Sequence, residues 1–162
     1  MNKKIKLIFF HPYSYLGGAD NSLRRLIENL DLNKFSITVI SLNRSYLKNI
    51  LLNNIEFRQL KSKRTLFAIY EIKKILKNIE KNKNYKKVIL ISNQNFANVI
   101  ASFCIEKNSR IKSIFIDRNH LDELSFYKGN IDKIKKIVIK ILVKLRYQKA
   151  NTVVGICKKL SN

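Results

Sequence analysis

Short continuous apolar runs alternate along this chain with longer segments whose apolar residues recur every three or four positions. The runs are 5–10, 37–42, 88–91, 114–116 and 152–156, with a weaker one at 55–60. Continuous runs of this length predict strands buried on both faces, as in a parallel sheet. Between them, Leu23, Leu26, Ile27 and Leu30 fall on one helical face. So do Ile69, Ile72, Leu76 and Ile79, and then Phe96, Val99, Ile100 and Phe103. The longest stripe is Ile131, Ile134, Val138, Ile141, Leu142 and Leu145. A short helix is expected at 46–52. Strand–helix–strand alternation predicts an α/β fold: a Rossmann-like, doubly wound, mostly parallel sheet of about six strands with helices on both faces.

Composition adds three constraints. One Pro and four Gly in 162 residues predict regular structure with short connections and no linker. Cys104 and Cys157 have no His or Cys nearby at metal-ligand spacing, so they read as small core residues in a reducing compartment. The run 5–10 after Lys3 and Lys4 is too short for a signal peptide and meets His11-Pro12, and no stretch approaches the ~20 apolar residues of a membrane span. A cytoplasmic protein is expected.

The net charge of +22, from 33 basic and 11 acidic residues, has two readings. It suits an anionic partner. A low-GC coding bias toward Lys, Asn and Ile yields the same composition without any partner. No helix-turn-helix, zinc-finger, RNP or KH pattern is present, so a nucleic-acid-binding protein remains a reading from charge alone and no specific nucleic-acid partner is expected.

Ligands of open α/β sheets bind at the carboxyl ends of the strands. The first such loop holds Gly17-Gly18-Ala19-Asp20 and runs straight into a helix, with Asp20 or Asn21 placed as its N-cap. Two glycines permit positive φ and a close backbone approach, and a helix N-terminus suits phosphate. A tight turn with no ligand has the same pattern. Neither the dinucleotide nor the P-loop fingerprint is present. The second loop, Ser92-Asn93-Gln94-Asn95, either caps a helix or lines a cleft. The third is Asp117-Arg118-Asn119-His120. His120 is able to exchange protons near neutral pH and Arg118 to grip phosphate. Equally, Arg118 would pair with Asp117, Asp122 or Glu123, with His120 capping the loop. His11 either shapes the glycine turn or faces the cleft.

The strand 5–10, the turn Gly17-Gly18-Ala19-Asp20, the helix Ser22-Leu23-Arg24-Arg25-Leu26-Ile27-Glu28-Asn29-Leu30 and the strand 35–40 together resemble the opening of glycosyltransferase family 4, of GT-B fold. Asp20 stands where that family more often has Glu. The last stretch, 150–161, is similar to the family's final N-domain strand, with Cys157 at a position often held by Ser. The resemblance covers nearly the whole chain. It implies that residues 1–162 are the N-terminal, acceptor-side domain, and that the donor-binding domain with its paired glutamates is absent from this chain. It implies transfer of a sugar from a nucleotide-sugar donor to a sugar or lipid-linked acceptor, with retention of configuration, no metal and no cofactor, in cell-surface polysaccharide or glycolipid synthesis. Gly17 and Gly18 would face the donor phosphates. Asn93, Gln94, Arg118 and Asn119 would line the acceptor cleft, with His120 as the catalytic candidate. The missing half would be supplied in cis or in trans. A non-catalytic truncated product or split-enzyme subunit fits the same residues, and the lone chain is expected to be inactive.

The stripe on 131–145 is accompanied by Lys133, Lys136, Lys140 and Lys144 on another face. The expected arrangement is a sheet-packing helix with a solvated lysine face. The alternative is a basic amphipathic helix in peripheral contact with an anionic membrane.

Overall fold

The computed structural model describes residues 3–14, 17–42, 54–106, 108–118 and 129–155. The expected helix at 46–52, and Asn119, His120, Asp122, Glu123 and Cys157, lie outside these residues. The strands are β1 (Ile5–Phe10), β2 (Phe35–Ser41), β3 (Glu56–Gln59), β4 (Lys87–Asn93), β5 (Ile111–Asp117) and β6 (Thr152–Gly155). The helices are α1 (Gly18–Glu28), α2 (Ile69–Lys81), α3 (Asn95–Cys104) and α4 (Asn130–Arg146). Among the described residues the strands form one sheet in the order β3-β2-β1-β4-β5-β6, every pairing parallel. This is the doubly wound Rossmann-like architecture that the alternation predicted.

The sheet's period of two divides the core. Leu7 and Phe9 of β1 pack with Ile37, Val39, Leu23 and Ile27, which seats α1 on one face. Ile8 and Phe10 pack with Ile72, Leu76, Ile100 and Phe115, which seats α2 and α3 on the other. Each fully buried aliphatic side chain contributes about 1.5–3 kcal/mol, so these two layers supply most of the fold's stability. Cys104 sits in the second layer as expected. Its thiol, pushed up to about 12 by burial, donates to the Ile100 carbonyl at 3.2 Å and is chemically quiet.

The fourth helix departs from expectation. Ile131, Ile134, Val138, Ile141 and Leu145 are all exposed, and Val143 is the side chain that α4 buries. At about 100° per residue, Val143 lies on the opposite side of the helix from that stripe. The reason is the docking partner. α4 packs beside α3, where the Arg146 guanidinium lies 3.9 Å from the centre of the Phe103 ring and donates to the Ser102 carbonyl at 2.9 Å. Two of the four expected face lysines, Lys136 and Lys140, are half-buried on the packed side, and Lys136 pairs with Asp132 at 3.1 Å. The lysine face is therefore turned partly inward and the apolar face outward.

At the amino ends of the strands, buried Lys6 on β1 reaches past β2 to Glu56 on β3 at 3.0 Å, and Thr38 on β2 also donates to Glu56. Burial raises the Glu56 pKa, but the bonds from Thr38, Lys6 and Arg58 outweigh it and hold the carboxyl at about 2. A carboxylate whose folded pKa is depressed stabilises the fold above its unfolded pKa, and that stability is lost as pH falls through the folded value. Glu56 is partly solvated, so about 1–2 kcal/mol is the discounted scale. Urea midpoints should fall between pH 4.5 and about 2 in the parent, and that part of the slope should vanish in Glu56→Gln. An unchanged slope would remove the tie from the stability account.

Candidate functional site

The strand order reverses beside β1: β2 lies on one side and β4 on the other. The chain leaves β1 toward α1 on one face and leaves β4 toward α3 on the opposite face. Such a switch point opens a crevice at the carboxyl ends, where doubly wound sheets bind ligands. A narrow cleft of about 20 Å³ lies there, lined by Phe10, His11, Leu23, Asn93, Ile116 and Arg118 among others.

The glycine turn is built differently from expectation. Gly17, not Asp20 or Asn21, is the N-cap of α1, with φ −87°, and its carbonyl accepts the N–H groups of Asp20 and Asn21 at 3.1 Å. Asp20 is the third helical residue and its Oδ2 accepts the Gly17 N–H at 2.9 Å. With no side chain on Gly17, this is half of a capping box. Neither Gly17 nor Gly18 has a positive φ, and a Cβ added to either would meet nothing within 4 Å. Among the described residues, then, neither backbone strain nor crowding requires glycine. What the two glycines provide is bare backbone at the start of a helix.

The other Asp20 oxygen is 2.6 Å from His11 Nε2, and both side chains are buried. Burial pushes the His11 imidazole below its ordinary value, against the pull of the Asp20 carboxylate. The ring is therefore neutral at pH 7. An acceptor-only carboxylate at this distance assigns the proton to Nε2. His11 Nδ1 has no partner among the described residues. His11 thus shapes the turn: it fixes Asp20, which fixes Gly17.

From β4, Asn93 is buried and its Oδ1 accepts the Arg118 Nε–H at 2.6 Å. Arg118 also donates to Ser22 Oγ on α1 at 3.0 Å. Arg118 therefore straps the end of β5 to β4 and to α1 across the switch point. Burial lowers its pKa, with Asp20 opposing, but an arginine stays charged. The expected pairing with Asp117 does not form. Asp117 instead accepts from Tyr147 at 2.6 Å and from Asn98 at 3.0 Å, and burial raises its pKa against those bonds. That triad ties β5 to α3 and to the turn after α4. Sequence reasoning missed Ser22 and Tyr147, whose roles exist only through partners from distant parts of the chain.

Gln94 is the one non-glycine residue with positive φ among the described residues, at φ 89° and ψ 142°. Its N–H donates to the Ile116 carbonyl at 3.1 Å, and its carbonyl accepts from Asn98 at 2.9 Å as the N-cap of α3. A side-chain-bearing residue in this region stores about 1–3 kcal/mol of strain. It does so next to Asn93, which lines the crevice. Among the described residues no group of three His, Cys, Asp or Glu converges as a metal would require.

A larger cavity lies elsewhere among the described residues. About 870 Å³ opens at the amino ends of the strands, lined by Lys3, Lys4, Lys6, Phe35, Glu56 and Tyr85 among others. Its lysines already donate to the carbonyls of Lys83 and Leu32 and to Glu56. The smaller crevice carries the convergent polar groups, so it is the better candidate.

No family model matches this sequence, and no match to it was found among the curated proteins. Solved structures do share its fold. One is UGT2 of Phytolacca americana complexed with UDP-2fluoro-glucose and pterostilbene, at TM-score 0.65 and 12% identity over 96% of this chain. Another is a UGT transferase from Siraitia grosvenorii in complex with UDP, at TM-score 0.66 and 12% identity over 94% of this chain. The chain spans 48% and 44% of those two chains. The Rossmann-like sheet is thus the fold seen in one part of GT-B UDP-glycosyltransferases. These two likenesses show the fold and do not single out family 4.

Two substitutions test the site's construction. Gln94→Gly should raise stability by about 1 kcal/mol through relief of strain, read as a higher urea midpoint at unchanged slope; a lower midpoint would show that the backbone is at ease with Gln. Asp20→Ala leaves the His11 N–H and the Gly17 N–H without their acceptor and should cost about 2–4 kcal/mol. A loss no larger than that of an exposed residue would contradict the buried tie.

Proposed function

We propose that this chain is the acceptor-side half of a nucleotide-sugar-dependent glycosyltransferase. The observation that carries this reading is the glycine-bare start of α1 at the carboxyl end of the sheet, on a helix whose Ser22 is held by the Arg118 guanidinium of the switch-point crevice. Free helix N–H groups and a fixed cation favour a diphosphate there. The fold shared with two structures that hold UDP or a UDP-sugar supports it.

In this reading the donor diphosphate meets the Gly17 and Gly18 backbone, and the acceptor hydroxyl lies toward Gln94, Arg118, Asn119 and His120. Asn93 acts by holding Arg118 in place. His120 would accept the acceptor's proton as the sugar is transferred. Retention of configuration, metal independence and a role in surface polysaccharide or glycolipid assembly rest on the family 4 resemblance. Most of the donor site belongs to a second half, in cis or in trans.

Half a cleft should bind weakly. UDP titrated into isotope-labelled chain should shift the Gly17 and Gly18 amide signals saturably, with Kd on the order of 1 mM. Gly18→Val, whose added Cβ meets nothing within 4 Å, should keep the fold and lose the response. Absence of any shift in the folded parent would overturn the donor assignment.

A further inference from the structure

We infer that α4 is a surface for adsorption onto anionic lipid. Its outward face carries Ile131, Ile134, Ile137, Val138, Ile141 and Leu145, between 40% and 72% exposed. Such a stripe normally buries itself against the protein; here the packed side is the opposite one, marked by Val143 and by Arg146 on Phe103. The stripe has a solvent-facing position and an unmet apolar demand.

Charge selects the occupant. On the helical wheel, exposed Lys133 and Lys144 border one edge of the stripe and exposed Lys135 the other. The single acidic residue of α4, Asp132, is turned to the packed side and paired with Lys136. Two copies meeting through this face would set lysine against lysine, in a chain of net charge +22. An anionic bilayer satisfies both parts at once. The aliphatic stripe enters the headgroup–acyl boundary while the flanking ammonium groups remain among the phosphates. No helix among the described residues is long and apolar enough to cross a membrane, so the contact lies in the plane of the surface.

The geometry places the start of this surface at the same end of the sheet as the crevice. α4 starts at the end of the sheet where β5 finishes, so Ile131 and Ile134 lie nearest the end that holds Arg118. The inference does not need the transferase reading: lipid binding and the UDP response are separate measurements, and either can fail alone.

The test is sedimentation of the full chain with phosphatidylglycerol–phosphatidylcholine vesicles against pure phosphatidylcholine, at about 0.1 M salt. The parent should pellet with the anionic vesicles only. Ile134→Asp with Ile141→Asp, at exposed positions, should keep the parent's circular dichroism and lose at least about tenfold in binding. Lys135→Gln with Lys144→Gln should lose several-fold. The chain has no tryptophan, so Val138→Trp supplies a single reporter. Its emission should shift to the blue on anionic vesicles, whereas Arg25→Trp, on α1 across the sheet, should not respond. Four results would overturn the inference: no pelleting, equal pelleting with neutral vesicles, undiminished binding of the isoleucine variant, or an unshifted Val138→Trp reporter. A parent that ignores lipid and is dimeric by light scattering, but monomeric as the isoleucine variant, would reassign the face to self-association.

Discussion

Everything in this molecule depends on β1 being held on both sides. Its backbone runs parallel to β2 on one edge and to β4 on the other, with Ile5 level with both Phe35 and Lys87. A strand held this way has no free edge and must bury both faces. Leu7 and Phe9 go to one layer while Ile8 and Phe10 go to the other. Because the chain turns to opposite faces after β1 and after β4, the central pairing also creates the crevice. The core and the candidate site are two results of one register.

Around that crevice the polar groups are mostly occupied with each other. His11 holds Asp20, which holds Gly17, while Asn93 and Ser22 hold Arg118. Such ties are expected where a site must be rigid before its ligand arrives. They also divide the labour. Asn93 and Asp20 position other groups, whereas in the proposed reading Arg118 and the bare backbone at Gly18 would offer charge and a donor to whatever enters.

Much of the fold was legible in the sequence because strands buried on both faces must be apolar throughout. The run 5–10 is such a strand at full length. β5 was read short, as 114–116, because Lys112 and Ser113 interrupt its apolar pattern; buried Ser113 fits by accepting the Asn151 N–H and by donating its own N–H to the Asn151 side chain. For α4 the periodicity revealed that an apolar face exists, and could not reveal on which side a neighbour would lie. The same limit applies to the site. Gly17, Asn93, Gln94 and Arg118 were placed by their loops, since loop position follows from strand order. Their partners were not, because Arg118 meets Asn93 and Ser22 across 25 and 96 positions of sequence. Contacts that distant are decided by packing, not by local pattern.

The register of β1 also sets an order in time. The first 42 residues contain β1, α1 and β2, yet β1's second neighbour arrives only with Lys87–Asn93. While the chain emerges from the ribosome, the β4-side edge of β1 stands open, bordered by Ile8 and Phe10 with no opposite layer to cover them. An open parallel edge of this kind invites association with other chains. Nascent chains cut short before β4 should therefore be more prone to aggregate than chains that have released residue 93.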